Sequence, residues 1–224
     1  MCAMSTPAIL FDLDGTLVDS RRDLTTAVNL VLAEYGVAPL SMDTVTSYVG
    51  NGSDTLMARA LGDAEVSVSV ATERLGFHYR QHLLDETVLY DGIIETLEEL
   101  QGSGYKLAVV TNKTQASACR IVRGLGVDGF FETVLGDTGT CGLKPETDLI
   151  LQALQVCDAV REGSWMLGDN YTDLAAGRRA GLQTCFCAYG FGARRGEPFD
   201  ISIACPRDFP VHLAALQAGT MARG

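Results

Sequence analysis

The chain has 224 residues, 47% of them hydrophobic, with a mean hydropathy of +0.14 and a formal charge of −11. It can bury one substantial core, or one core with a small satellite, while its acidic balance disfavours nucleic acid and anionic membranes, which ask for clustered Lys and Arg. No apolar stretch approaches the roughly 18 residues that span a bilayer, and Met1-Cys2-Ala3-Met4-Ser5-Thr6 has neither a basic region nor a long apolar run, so a cytoplasmic protein is expected, with Met4 as an alternative start.

Residues 8–11 form a continuous apolar run that reads as a buried parallel strand. It stops at Asp12-Leu13-Asp14-Gly15-Thr16, two carboxylates followed by a glycine and a hydroxyl. The tip of such a strand is where an open α/β sheet places its chemistry. Gly15 lets the backbone turn, so the two carboxylates can approach one point from different directions, and a cation there would relieve their repulsion. Taken alone, the same residues also fit a hairpin turn at Asp14-Gly15 with Thr16 capping a helix.

From Arg21 the pattern changes. Leu24, Ala27, Val28, Val31 and Leu32 recur at helical spacing, and 41–48, 53–61 and 66–84 continue as three more helix-like pieces, broken by Gly50-Asn51-Gly52 and Gly62-Asp63. This predicts a small all-helical insert after the first strand, well placed to act as a lid. The expected division is 1–18 and 87–224 for the core and 19–86 for the insert. After Leu89-Tyr90-Asp91-Gly92 helix and strand alternate: helices over 93–100, 115–125, 146–156 and 173–180, strands over 105–110, 133–136, 164–167 and 183–188. An edge strand over 201–204 and a closing helix over 211–217 complete an α/β, doubly wound, Rossmann-like parallel sheet covered on both faces.

The segment Asp12-Leu13-Asp14-Gly15-Thr16-Leu17-Val18-Asp19-Ser20 resembles the first motif of the haloacid dehalogenase superfamily. Val110-Thr111-Asn112, Lys144-Pro145 and Leu167-Gly168-Asp169-Asn170-Tyr171-Thr172-Asp173 resemble its other three motifs, in the same order. Within the superfamily, Tyr48-Val49-Gly50-Asn51-Gly52 followed by Leu56-Met57-Ala58-Arg59-Ala60-Leu61 is similar to the cap region of bacterial phosphoglycolate phosphatases. The resemblance implies a Mg2+-dependent phosphatase acting on a small phosphorylated metabolite, 2-phosphoglycolate first, with Asp12 as nucleophile through an aspartyl phosphate. Asp14 would be the general acid and base, a group that the dehalogenase relatives do not need. Mg2+ would be held by Asp12, the backbone carbonyl of Asp14 and Asp169, with Asp173 orienting the shell. Thr111, Asn112 and Lys113 would meet the phosphate, and Lys144 would hold the phosphoryl group, with Pro145 in the first turn of the next helix. Read without the resemblance, Asp169 and Asp173 fit a helix N-terminus, Thr111 or Asn112 a helix cap, and Lys144 a solvated lysine.

Selectivity is expected from the insert. The 50–52 loop (Gly50, Asn51, Gly52) can offer backbone N–H groups, and Arg21, Arg22 and Arg59 are candidate cations for a substrate carboxylate. Arg194-Arg195 reads as a solvated loop. His78 and His82 stand four apart, but Tyr79 occupies the place where a zinc-protease pattern has Glu, and His212 stands apart. The 7 cysteines, at 2, 119, 141, 157, 185, 187 and 205, show no paired spacing and form no closed disulfide set. A monomer or a homodimer is expected. Rival readings are a β-phosphoglucomutase-like isomerase, a phosphatase for pyrophosphate, N-acetylmuramate 6-phosphate or a phosphosugar, and a receiver-like signalling module.

Overall fold

The computed structural model describes residues 6–221; the N-terminal reading of Met1 to Ser5, with Cys2 and the Met4 start, lies outside them. In chain order the elements are β1 (Thr6–Phe11), β2 (Val18–Asp19), α1 (Arg21–Glu34), α2 (Met42–Ser47), α3 (Ser53–Leu61), α4 (Val68–His82), β3 (Val88–Leu89), α5 (Ile93–Gly102) and β4 (Lys106–Thr114). Then follow α6 (Gln115–Gly124), β5 (Thr133–Asp137), α7 (Asp148–Val156), β6 (Ala159–Gly168), α8 (Tyr171–Arg179), β7 (Gln183–Cys187), β8 (Ile201–Ile203) and α9 (Asp208–Met221).

Six strands make one sheet in the order β5-β4-β1-β6-β7-β8, every neighbouring pair parallel. The chain builds outward from β1 through β4 to β5, then returns to the other side of β1 as β6. The carboxyl ends of β4, β1 and β6 therefore surround the point where the winding reverses, which opens a crevice there. Both faces are covered, so the strands are apolar throughout rather than alternating. Ile9, Phe11, Val109, Trp165 and Leu167 pack on one face with residues of α5, α6 and α9. Ala8, Leu10, Ala108, Val110 and Met166 pack on the other with residues of α7 and α8.

Between β2 and β3 stand the four helices of the insert. β2 and β3 pair antiparallel, Val18 with Leu89 and Asp19 with Val88, so the two chain crossings form one ribbon. The ribbon is two residues a side, too short to leave a periodic pattern. Val31, Leu32, Val45, Met57, Ala71 and Leu75 are buried within the insert and join the same apolar cluster as the first sheet face.

Asp23 fixes the return crossing. Its carboxylate is 2% exposed and accepts from the Glu86 and Thr87 N–H groups and the Thr87 hydroxyl at 2.7–3.1 Å. Helical spacing alone marks it only as an acid in the first turn of α1. Asp23→Ala would orphan those donors, and a buried donor without a partner costs about 1–3 kcal/mol. We expect a loss of about 2–4 kcal/mol in urea unfolding; a change under about 0.5 kcal/mol would contradict this role.

Several boundaries differ from expectation for local reasons. α8 starts at Tyr171 rather than Asp173, because Asn170 caps it and the Asp173 carboxylate accepts the Asn170 N–H at 3.0 Å. α7 starts at Asp148, which places Pro145 ahead of the helix rather than in its first turn. β4 continues through Thr114, the residue at the N-cap position of α6, so neither Thr111 nor Asn112 is a helix cap. The cysteines among the described residues are unpaired, and none of the described helices is long and apolar enough to cross a membrane.

Candidate active site

β1 delivers Asp12 to the crevice. Its N–H donates to Leu167 O at 2.9 Å, extending the ladder with β6 one residue past the strand. The chain then turns sharply: the Leu17 and Val18 N–H groups return to Leu13 O, and Gly15 takes φ +84°. A side chain at Gly15 is excluded twice, by that φ and because a Cβ there would lie 1.8 Å from Asp169 Oδ2. Asp14-Gly15 does turn the chain, but not as a hairpin, since β1 pairs parallel with β4 and β6, and Ser20 rather than Thr16 precedes α1; the turn packs against a second carboxylate.

That carboxylate comes from β6. Asp169 follows the strand directly, and Asp173 sits in the first turn of α8; one carboxylate oxygen from each of them and one from Asp12 lie within 4.8 Å of one another. All three are buried, at 8% exposure for Asp12, 2% for Asp169 and 1% for Asp173. Asp169 Oδ2 accepts from the Phe191 and Gly192 N–H groups at 3.0 and 2.6 Å. Neither flanking glycine has room for a Cβ, which would fall 2.4 Å from Asp169 Cβ at Gly190 and 2.8 Å from Asp169 O at Gly192. The local sequence signal for this loop is Gly190-Phe191-Gly192 after β7, which periodicity does not interpret.

One ammonium faces the trio. Lys144 Nζ lies 2.8 Å from Asp12 Oδ1 and 2.7 Å from Asp173 Oδ1, and it donates to Val110 O at 2.5 Å. The Asp173 Oδ1 contact with Lys144 is a close, fully buried ion pair. Burial pulls the Lys144 pKa down, but the Asp12 and Asp173 charges outweigh it and the net shift is upward. Burial pushes Asp169 well above the usual carboxylate range, and Asp12 and Asp173 push the same way. Asp173 is pushed up to about 7, by burial first, against the pull of Lys144.

Three buried carboxylates against one ammonium leave excess negative charge. An all-oxygen set of three buried carboxylates fits a hard divalent cation. A pH dependence follows. A carboxylate whose folded pKa is raised binds more protons folded than unfolded, so without metal its contribution to stability falls as pH rises from about 4 to about 7. Metal needs the deprotonated form. The melting-temperature gain from a divalent cation over chelator should therefore be small at pH 5 and reach about 5–10 °C by pH 8 at 100-fold excess over Kd. A gain independent of pH would contradict a metal seat on these carboxylates.

Asp14 lines the same cavity but stands outside the trio. Its carboxylate accepts from Lys113 Nζ at 2.7 and 3.0 Å and from the Ser20 hydroxyl, outside the trio. The two carboxylates of the first motif thus take separate ammonium partners instead of converging through their side chains. Lys113 is buried, which lowers its pKa, but Asp14 more than offsets this; its ammonium also lies 4.5 Å from the centre of the Tyr79 ring.

Asn112 ties the arrangement together. Its amide donates to Lys144 O at 2.8 Å and Gly50 O at 3.0 Å, and its carbonyl accepts the Lys144 N–H at 2.8 Å. Both amide hydrogens are thus engaged within the protein, where the sequence suggested a direct phosphate contact. Thr111 Oγ1 accepts the Lys113 N–H at 3.2 Å.

A cavity of about 410 Å³ lies above these groups. Asp12, Asp14, Thr111, Asn112, Lys113, Lys144, Asp169 and Asp173 line it from the core, and Gly50, Asn51 and Gly52 line it from the insert with Thr72, Leu75 and Tyr79 of α4. The candidate arginines do not reach it. Arg21 pairs with Asp19 at 2.6 Å, Arg22 with Glu86 at 2.5 Å, and Arg59 reaches only Tyr48 O at 3.5 Å. His78 and His82 are engaged with Glu34 and Asp85 at 2.7 and 2.8 Å, and Arg194 and Arg195 are exposed.

Residues 9–187 match the family model described as haloacid dehalogenase-like hydrolase. A phosphoglycolate phosphatase of Colwellia psychrerythraea is 37% identical over 191 residues, 82% of this chain and 84% of that protein. One from Aquifex aeolicus is 34% identical over 200 residues, 89% and 93% of the two chains. The crystal structure of a predicted phosphoglycolate phosphatase from Haemophilus somnus superposes with a TM-score of 0.85 at 29% identity, covering 92% of this chain and 97% of its own. With the four motifs assembled around one cavity, the chain belongs to the haloacid dehalogenase-like hydrolase family, as a phosphatase resembling the bacterial phosphoglycolate phosphatases.

Proposed function

We propose that the chain hydrolyses a small phosphomonoester, 2-phosphoglycolate first among candidates, to the alcohol and phosphate with Mg2+ as cofactor. The convergence of Asp12, Asp169, Asp173 and Lys144 on one cavity floor carries the reading.

An Asp12 carboxylate oxygen attacks phosphorus, the bond to the ester oxygen breaks, and Asp14 gives the leaving alkoxide its proton. Water then attacks the phosphoryl group on Asp12 while Asp14 takes its proton; the bond between phosphorus and the Asp12 oxygen breaks, which releases phosphate, frees the Asp12 carboxylate and returns Asp14 to its acid form. Lys144 stabilises charge on the phosphoryl oxygens from a site where it is already held at three points. Asp12, the Asp14 carbonyl and Asp169 would hold Mg2+, with Asp173 alongside. Bound there, the ion neutralises the repulsion between the carboxylate and the phosphate. Ser20 and Lys113 aim Asp14 into the cavity.

The segment 19–86 acts as the lid, and a cavity of about 410 Å³ beneath it suits a metabolite of a few carbons. The choice of 2-phosphoglycolate rests on the relatives' names and the likeness of the 48–61 stretch. Phosphate release from a panel of phosphorylated metabolites with Mg2+ tests it. The highest kcat/KM should fall on 2-phosphoglycolate; a product that retains its phosphate, with no free phosphate, would contradict hydrolysis.

A further inference from the structure

The insert's loop is fastened to the core on both sides of the strand that carries Asp12. On the β4 side the Asn112 amide donates to Gly50 O at 3.0 Å. On the α8 side the Asn51 amide donates to the Tyr171 hydroxyl at 2.6 Å. Turning the Asn51 amide over would exchange donor and acceptor and keep the link. Asn112 is already engaged in seating Lys144, whereas the mechanism above gives Tyr171 no task.

Tyr171 is built in firmly. It opens α8 between Asp169 and Asp173, its N–H donates to Ala193 O at 3.0 Å, and the Arg195 guanidinium lies 4.7 Å from its ring centre. The loop opposite is seated as closely. Gly50 has φ +111°, and a Cβ there would fall 2.5 Å from Asn170 Nδ2, the neighbour of Tyr171. The other end of the Asn51 amide, Oδ1, is buried without a hydrogen-bond partner. The link to Tyr171 is thus the side-chain tether on that flank of the loop.

We infer that Tyr171 is a positioning residue that sets substrate size, its hydroxyl latching the 50–52 loop shut over the cavity. A small phosphomonoester reacts under the closed loop, while one with a bulky leaving group reacts only with the loop displaced. A single hydrogen bond shifts such an equilibrium by about 3–10-fold. Because a ligand's apparent affinity scales with the population of the competent state, losing the bond should act on KM for small substrates.

The inference rests on the phosphatase reading for its selectivity arm alone. Tyr171→Phe should raise KM for 2-phosphoglycolate, by up to about 10-fold, with kcat little changed, and leave kcat/KM for p-nitrophenyl phosphate unchanged or higher. Independently of activity, hydrogen exchange at the amides of residues 49–52 should quicken by a similar factor. Asn51→Ala should quicken the same amides, and the double variant should add nothing further. Equal losses on both substrates, unchanged exchange in Tyr171→Phe, or additive effects in the double variant would each overturn the latch. If the parent protein released phosphate from neither substrate, the phosphatase reading would fail, while the exchange data would still decide the latch.

Discussion

Asp12→Asn should lower kcat by about 10⁴-fold or more, because an amide cannot carry the phosphoryl group and the remaining groups retain only the charge stabilisation of the transition state. The fold should survive. Asn is nearly isosteric, its carbonyl can still accept from Lys144, and Lys144 keeps Val110 O and Asp173. Without metal the variant should be as stable as the parent or more so, since one of three mutually repelling buried carboxylates is gone. Phosphate release and thermal unfolding in chelator check the two halves. A variant hydrolysing p-nitrophenyl phosphate at the parent rate would remove Asp12 from the chemistry.

Lys144→Met should have the opposite balance. Its ammonium is 1% exposed and touches Asp12 and Asp173, so its loss leaves two buried carboxylates without their cation. Breaking a buried pair from one side costs about 3–5 kcal/mol, which for a chain of this size lowers the melting temperature by about 6–20 °C. Activity should fall at least about 10²–10³-fold with the lost transition-state contact. A divalent cation should recover part of the stability and little of the rate, since it can replace the charge near Asp173 and not the donor aimed at the phosphoryl oxygens. Stability in chelator equal to the parent's would contradict the idea that Lys144 balances this cluster.

The contrast between these two residues shows what the sequence reveals and what it hides. Asp12 is legible because it interrupts an apolar run that a doubly covered parallel strand requires, and a strand tip is a chemically distinctive place. Asp169 is legible for the same reason at the end of β6. Lys144 follows no strand directly and is recognised from the proline after it and the order of the motifs. Its task depends on Asn112, whose amide grips the Lys144 peptide across 32 positions of chain, with no local spacing to announce it.

The same limit explains the arginines and the glycines. Arg21 and Arg22 stand close in sequence to the strand that carries Asp12, yet Asp19 and Glu86 take them up beside the β2–β3 ribbon, so nearness along the chain misleads. The glycines at 190 and 192 lie far along the chain from Asp12 and look like loop filler, yet their backbone closes on Asp169 so tightly that no side chain fits. Periodicity reports faces of helices and strands; it carries no information on which distant loop will supply the hydrogen bonds for a buried carboxylate. The helices of the insert were readable by their spacing, whereas the ribbon and the Asp23 clasp that fix its attachment were not.

The most direct test is to quench a single turnover in acid, digest the protein, and weigh the peptide that contains Asp12. The account predicts the added mass of one phosphoryl group on Asp12, appearing before free phosphate and absent from Asp12→Asn. Turnover of the same substrate with no phosphorylated peptide at any time, or with the group on another residue, would contradict it.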